Sequence, residues 1–223
     1  MLAIVAGMYS GHVSVGGPAD VRELPRLTIS KLAVGPMDNN VYLLRCSATG
    51  AQVLIDAAAE PERIMDLIGS NGLSAIITTH RHHDHWAALE AVQQATGAPT
   101  YAHTDDADGI EVPTTHRVRE GEVIIFGQCA LSTLHLIGHT PGSLVLGYDD
   151  PEGHNHVFTG DCLFPGGVGR TWSAEDFTSL YDGVVSKIFD HYDDETWIYP
   201  GHGDDTILGR ERGSLVEWRD RGW

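Results

Sequence analysis

Residues 80–85 place His80, His82, Asp84 and His85 in a His-x-His-x-Asp-His run. Three imidazoles and a carboxylate packed this densely are poor core material, because each needs a polar partner once it leaves water. A divalent cation satisfies all of them, since neutral imidazole and carboxylate are the usual N and O ligands of Zn2+ and Fe2+. Composition is the competing explanation: with 13 histidines in 223 residues, a solvated polar loop could collect several. Three further candidates downstream favour the metal. They are His139 in Gly-His-Thr-Pro-Gly, Asp161 in Gly-Asp-Cys-Leu-Phe and His202 in Pro-Gly-His-Gly.

Seven donors exceed the four of a closed structural zinc site. They match two metals that share one carboxylate and keep open positions for water or substrate. His80 and His82 are two apart and can point the same way in an extended segment, whereas Asp84 and His85 lie past a bend and can face a second cation. Gly138, Gly160 and Gly201 each precede a candidate, as tight turns with close backbone approach require.

The candidates need elements that bring them together. Four apolar runs stop at a donor: Ile76-Ile77 before His80, Leu134-His135-Leu136 before His139, Val157-Phe158 before Asp161, and Trp197-Ile198-Tyr199 before His202. Strands side by side would align these ends on one rim. Alternation and turn residues predict strands over 27–34, 41–45, 52–55, 75–79, 100–103, 123–126, 130–136, 144–148, 156–159 and 196–199. Helices are predicted from Pro61, over 87–95, and from Ser173, where Phe177, Leu180, Tyr181, Val184, Ile188 and Phe189 recur on one face. Residues 1–26, with Gly16-Gly17-Pro18 and Pro25, read as a loosely attached N-terminal lead-in. Residues 27–223 read as a single domain with no repeat or linker.

The bulk properties narrow the function. A net charge of −17 argues against nucleic acid and anionic membrane as partners, leaving a small-molecule substrate. Three widely spaced cysteines (Cys46, Cys129, Cys162) are no disulfide framework. The short apolar start has no basic n-region, and no window reaches the length of a membrane span, so the expected location is cytoplasmic. Oligomeric state leaves no mark in the sequence.

These motifs, in order and separation over residues 27–210, resemble the metallo-β-lactamase superfamily, and within it the compact glyoxalase II-like hydrolase branch. The resemblance implies an α/β fold, a four-layer αβ/βα sandwich of two mixed β-sheets flanked by helices. It implies one metal on His80, His82 and His139, a second on Asp84, His85 and His202, and Asp161 bridging them. The ions would be Zn2+, with Fe2+ or a mixed Zn/Fe pair as alternatives. Zinc β-lactamases lack this bridging Asp, which points away from antibiotic hydrolysis. The implied activity is hydrolysis of thioesters or related esters by a hydroxide between the metals, with Asp84 orienting it and carrying a proton to the leaving group. The alternatives are a lactonase or a mononuclear non-haem iron persulfide dioxygenase using His80, His139 and Asp161.

Around this set, Arg170 and Tyr148 are candidate substrate contacts. Trp172 reads as packing on the helix that follows it, with walling the pocket as the alternative; Cys162 reads as a small buried filler ahead of a redox or ligand role, and His83 as facing outward or lying behind the ligands. His103 and His135 read as satisfied polar residues, and His154 and His156 as solvent-exposed around an acidic turn.

Overall fold

The computed structural model describes residues 9–222. Its first half builds β1 (Asp20–Glu23), β2 (Leu27–Val34), β3 (Asn39–Cys46), β4 (Gln52–Ile55), β5 (Ala75–Ile77), β6 (Thr100–His103) and β7 (His116–Val118), hydrogen-bonded in that order. Pairing is antiparallel from β1 to β4 and parallel from β4 to β7. The second half builds β8 (Val123–Phe126), β9 (Cys129–Leu136), β10 (Ser143–Tyr148), β11 (His156–Gly160), a small hairpin of β12 (Leu163–Phe164) and β13 (Gly167–Val168), then β14 (Trp197–Pro200) and β15 (Thr206–Ile207). This sheet runs β15-β14-β11-β10-β9-β8, with one parallel pair, β11 and β14.

Strand alternation explains the layers. In β2, Leu27 and Ile29 point between the sheets, while Leu32 and Val34 point to the outer face. In β5, Ala75 and Ile77 face inward and Ile76 outward, which is why a strand covered on both faces reads as a continuous apolar run. Leu144, Leu146, Phe158 and Tyr199 complete the central layer from the second sheet. Helices α1 (Pro61–Ile68) and α2 (Leu89–Thr96) cover the first sheet through Ile64, Ile68, Leu89 and Val92. Helix α3 (Ala174–Val184), its π-turn continuation Val185–Phe189, α4 (Leu208–Glu211) and α5 (Leu215–Arg221) cover the second through Leu180, Val184, Ile188, Leu208 and Trp218. Ser173 caps α3, accepting the Asp176 N–H at 3.0 Å. The result is the expected αβ/βα sandwich. Among the described residues, no helix is long and apolar enough to cross a membrane.

The lead-in reading is corrected for residues 9–26; residues 1–8 lie outside the described residues. Asp20–Glu23 is strand β1, in register with β2 from Asp20↔Lys31 to Glu23↔Thr28. The physical reason is Lys31, whose inward position in β2 buries its ammonium completely. It donates to the Gly11 carbonyl (2.6 Å), the Gly203 carbonyl (2.7 Å) and Asp205 Oδ1 (2.6 Å). The Tyr9 hydroxyl donates to the other Asp205 oxygen at 2.5 Å. The N-terminal segment is thereby tied to the loop after His202. His156 is a second correction: it is buried as the first residue of β11, with Nδ1 2.8 Å from the Tyr199 hydroxyl, which also accepts from Arg22 at 2.8 Å. His154 is exposed, as expected.

Removing one partner of a buried ion pair leaves the other charge uncompensated. Lys31→Ala is therefore expected to lower the unfolding free energy by about 3–5 kcal/mol. Lys31→Met combined with Asp205→Leu should recover most of that loss, as read from urea denaturation midpoints.

Candidate metal centre

Four chain segments meet at one rim of the sandwich. Strand β5 delivers Thr79 and His80, β9 leads to His139, β11 ends at Gly160-Asp161, and β14 ends at Gly201-His202. Rim hydrogen bonds lock them: Leu144 N–H to the Thr79 carbonyl (2.8 Å), Gly201 N–H to the Gly160 carbonyl (2.9 Å), and Asn40 N–H to the Gly201 carbonyl (2.8 Å). Two glycines make the approach possible. Gly160 has φ +48°, and an added Cβ would lie 2.8 Å from the Thr79 side chain. At Gly201 a Cβ would fall 2.2 Å from Asp161 Oδ1 and 2.7 Å from His85 Cε1.

All seven candidate ligands converge there. His80 Nε2 lies 3.0 Å from His82 Nδ1 and 3.3 Å from His139 Nε2. His85 Nε2 lies 3.1 Å from His202 Nε2, and Asp84 Oδ2 is 3.5 and 3.4 Å from these two nitrogens. Asp161 stands between the sets, with Oδ1 3.4 Å from His85 Nε2 and Oδ2 3.5 Å from both His139 Nε2 and His202 Nε2. Zinc–nitrogen bonds near 2.0–2.1 Å put neighbouring ligands of a tetrahedral shell roughly 3.3–3.4 Å apart. The observed spacings fit that shell.

Outer partners fix which nitrogen faces inward. His139 Nδ1 donates to the Arg170 carbonyl (2.7 Å) and His202 Nδ1 to the Met37 carbonyl (2.8 Å). His85 Nδ1 donates to Asp56 Oδ2 (2.8 Å). Thr79 Oγ1 donates to the same Asp56 oxygen (2.8 Å) and so accepts from His80 Nδ1 (3.1 Å). In each case the other ring nitrogen is turned to the site, and at His85 and His202 a metal would displace the proton that the neighbouring carboxylates favour there.

The electrostatics suit a cation. Burial holds the imidazoles of His80, His82 and His139 below their ordinary range, leaving them neutral. Burial also acts against protonated His85 and His202, but the carboxylates outweigh it. Asp161 and Asp56 raise His85, while Asp161 and Asp84 push His202 up to about 9. Asp161 is held well below the usual carboxylate range by His85 and His202 despite its burial. Its Oδ1 is also one of the few buried oxygens without a hydrogen-bond partner among the described residues. A buried acceptor left unmatched beside lone pairs is a natural cation ligand. The donor set therefore fits two divalent ions.

Three supporting residues escaped the sequence reading. Asp56 is one. Asp106 is another: it accepts Arg81 N–H (2.9 Å), Thr140 Oγ1–H (2.6 Å) and Gly142 N–H (2.9 Å), joining the His80–His82 segment to the His139 turn. Asn39 is the third, its Nδ2 donating to Asp84 Oδ2 at 2.8 Å. Only Asp56 had a visible signal, since Ile55-Asp56 repeats the pattern of an apolar run ending at an acid.

The flanking residues divide. Tyr148 does not join the site: it is buried in the central layer at the far end of β10, five residues beyond Ser143, roughly 16 Å along the strand. It lines a groove of about 340 Å³ there with Arg26 and Cys129. Arg170 does lie at the rim, its guanidinium 4.6 Å from the Trp172 ring centroid. Trp172 corrects its own reading. It is 62% exposed, so it does not pack into the core beneath α3, and it walls a cleft of about 220 Å³ with His82, Ile137, His139 and Pro141. His83 is exposed and meets Trp86 edge to face at 4.7 Å, Cys162 is fully buried, and His103 and His135 stack on each other at 3.7 Å.

A two-sheet αβ/βα sandwich with an imidazole and carboxylate nest at one rim defines a class of metal-dependent α/β proteins. Within that class, this chain belongs to the metallo-beta-lactamase superfamily, whose profile matches residues 34–202. It is 31% identical over 203 residues to the probable metallo-hydrolase YqgX of Bacillus subtilis (strain 168), spanning 82% of this chain and 93% of that protein. It is 33% identical over 168 residues to the hydroxyacylglutathione hydrolase of Rhodospirillum rubrum, spanning 74% of this chain and 59% of that protein. A crystal structure of TTHA1623 in a di-iron-bound form shares the fold with a TM-score of 0.67 at 32% identity, over 82% of this chain and 96% of that one.

Asp56→Ala removes the acceptor that orients His85 and Thr79. It is expected to weaken binding of a divalent cation by about 10- to 100-fold, measured by chelator competition, because outer partners typically contribute that much.

Proposed function

We propose that this protein is a metal-dependent hydrolase of small-molecule thioesters or related esters, glyoxalase II-like in its chemistry. The observation that carries this reading is the convergence of seven donors at 3.0–3.5 Å into two sets joined by Asp161, beside an open cleft. His80, His82 and His139 would hold one divalent ion, Asp84, His85 and His202 the other, and Asp161 both. When bound, such a pair supplies water acidified to a pKa of roughly 7 and positive charge for a carbonyl oxygen.

The chain's own groups do the rest. Asp84 is partly open to solvent, its side chain 28% exposed. Its carboxyl is held below the usual range: burial opposes this, but His202, His85 and Asn39 prevail. It is thus ionised at neutral pH, able to accept the proton of an attacking water and pass it to the leaving group. A thiolate leaves with little need of that proton, which makes a thioester the easiest substrate. Trp172 and Ile137 give the cleft an apolar wall for the acyl part, and Arg170 offers a cation at its mouth for an anionic group. Asp161 would be the ligand shared by both ions, and since the family resemblance gives zinc β-lactamases no such Asp, antibiotic turnover is not the expected task.

His80, His139 and Asp161 alone would also make the facial triad of a mononuclear iron centre, with His139 Nε2 3.3 Å from His80 Nε2 and 3.5 Å from Asp161 Oδ2. Metal content and activity together separate the two. About two zinc or iron ions per chain with thioester hydrolysis supports the hydrolase, whereas one ferrous ion with oxygen uptake on a thiol persulfide replaces it by a dioxygenase.

Asp84→Asn should cut kcat for thioester hydrolysis by about 10²- to 10⁴-fold with an unchanged circular dichroism spectrum. Wild-type turnover in that variant would remove Asp84 from the mechanism. Trp172→Ala is expected to raise KM with little change in kcat, the signature of lost uniform binding.

A further inference from the structure

At the end of the sandwich away from the metal rim, two hairpin turns meet. β3 runs from Asn39, bridged to His202, down to Cys46; β9 runs from Cys129 up toward His139. Eight-residue strands put roughly 24 Å between such ends. Cys46 opens the turn into β4, and Cys129 closes the Gly127-Gln128 turn from β8, so each sheet contributes one thiol. Both are free and nearly covered, at 1% and 4% exposure.

Both thiols lie at the Gly127-Gln128 turn and face the same groove. Cys46 Sγ accepts the Gln128 N–H at 3.4 Å, and Cys129 Sγ donates to the Arg26 carbonyl at 3.4 Å. A Cβ on Gly127 would lie 3.0 Å from Cys46 Sγ and 2.1 Å from Thr49 Oγ1, so only glycine lets the second turn close over that sulfur. The pair is reachable: both cysteines line a surface groove of about 300 Å³, together with Pro25, Arg26, Ser47 and Gln128.

The two thiols are unequal. Burial raises Cys46, but hydrogen bonding from Thr49 and the Gln128 N–H outweighs it and brings the thiol down to about 6. Burial pushes Cys129 up to about 12. A thiolate beside a neutral thiol is the arrangement of an attacking and a resolving cysteine. Cys162 is fully buried and its thiol is raised by that burial.

We propose that Cys46 and Cys129 form an oxidation site, in which a peroxide oxidises Cys46 and Cys129 converts the product into a disulfide between the two sheets. The Cys46 thiolate attacks one peroxide oxygen, the O–O bond breaks, and the departing hydroxide takes a proton to become water. Cys46 is left as a sulfenic acid. The Cys129 sulfur then attacks the Cys46 sulfur, losing its proton and displacing hydroxide, which leaves as a second water. Two thiols thus lose two electrons and two protons, and hydrogen peroxide becomes two waters.

The test treats the full chain with one equivalent of hydrogen peroxide, alkylates the remaining thiols under denaturing conditions, and maps the peptides by mass spectrometry. Cleavage after glutamate separates Cys129 from Cys162, because Glu152 lies between them. The expected result is a Cys46–Cys129 linked peptide and alkylated Cys162. Cys129→Ser should instead yield a dimedone adduct at Cys46, and Cys46→Ser should slow peroxide consumption by protein thiols more than about tenfold. The proposal is overturned if Cys46 stays reduced, if Cys129 or Cys162 reacts first, or if oxidised Cys46 accumulates in the wild-type chain without linkage to Cys129. The wild-type peptide map alone decides this, whatever the variants do to folding.

Discussion

Asp161 is the residue around which the rest is organised. One of its oxygens is buried without a hydrogen-bond partner among the described residues, and three imidazole nitrogens lie within 3.5 Å of the carboxylate. An unmatched buried acceptor costs on the order of 1–3 kcal/mol, and more when charged. The neighbouring structure maintains this arrangement where ordinary packing would relieve it. Gly201 has no side chain because any Cβ would strike Asp161, and Gly160 takes a left-handed backbone that turns the aspartate onto the rim. The parallel pairing of β11 with β14 brings the Asp161 and His202 turns side by side.

Fold and site share one set of contacts. His80, His82, Asp84 and His85 come from the first sheet, and His139, Asp161 and His202 from the second, so the donor nest is itself a seam of the sandwich. Two buried acids hold each side of that seam in register. Asp56 orients His85 and Thr79, and Asp106 ties Arg81 to the Thr140–Gly142 turn. Neither acid points into the donor nest. Their effect is on aim, and the imidazole lone pairs converge because the outer nitrogens are already committed.

The seven donors were legible because each interrupts an apolar run with a residue that has no packing reason to be there. Apart from β1, strands of four residues or more were legible for the same reason, since alternation and flanking glycines mark them. β12, β13 and β15 span two residues each and leave no periodic trace. β1 was hidden by Pro25 and the glycines before it, and it holds through register with β2 and through the Lys31 ammonium. A lysine in a strand reads as solvent-facing; its inward placement depends on acceptors 20 and 174 residues away, which no local pattern reveals. Tyr148 failed differently: proximity to a motif in sequence is not proximity in space when a strand runs between them. Asp106 and Asn39 are single polar residues in turns, indistinguishable locally from many others.

The order of the donors along the chain bears on biosynthesis. His80 and His202 are separated by 122 residues (202 − 80), and His202 reaches its place only when β14 pairs beside β11. At about 5–20 residues per second, the ribosome exposes the His80–His85 run for roughly 6–24 s before the last imidazole exists. Through that interval the nascent chain carries an incomplete donor set, and all seven ligands coexist only after translation has passed the final turn.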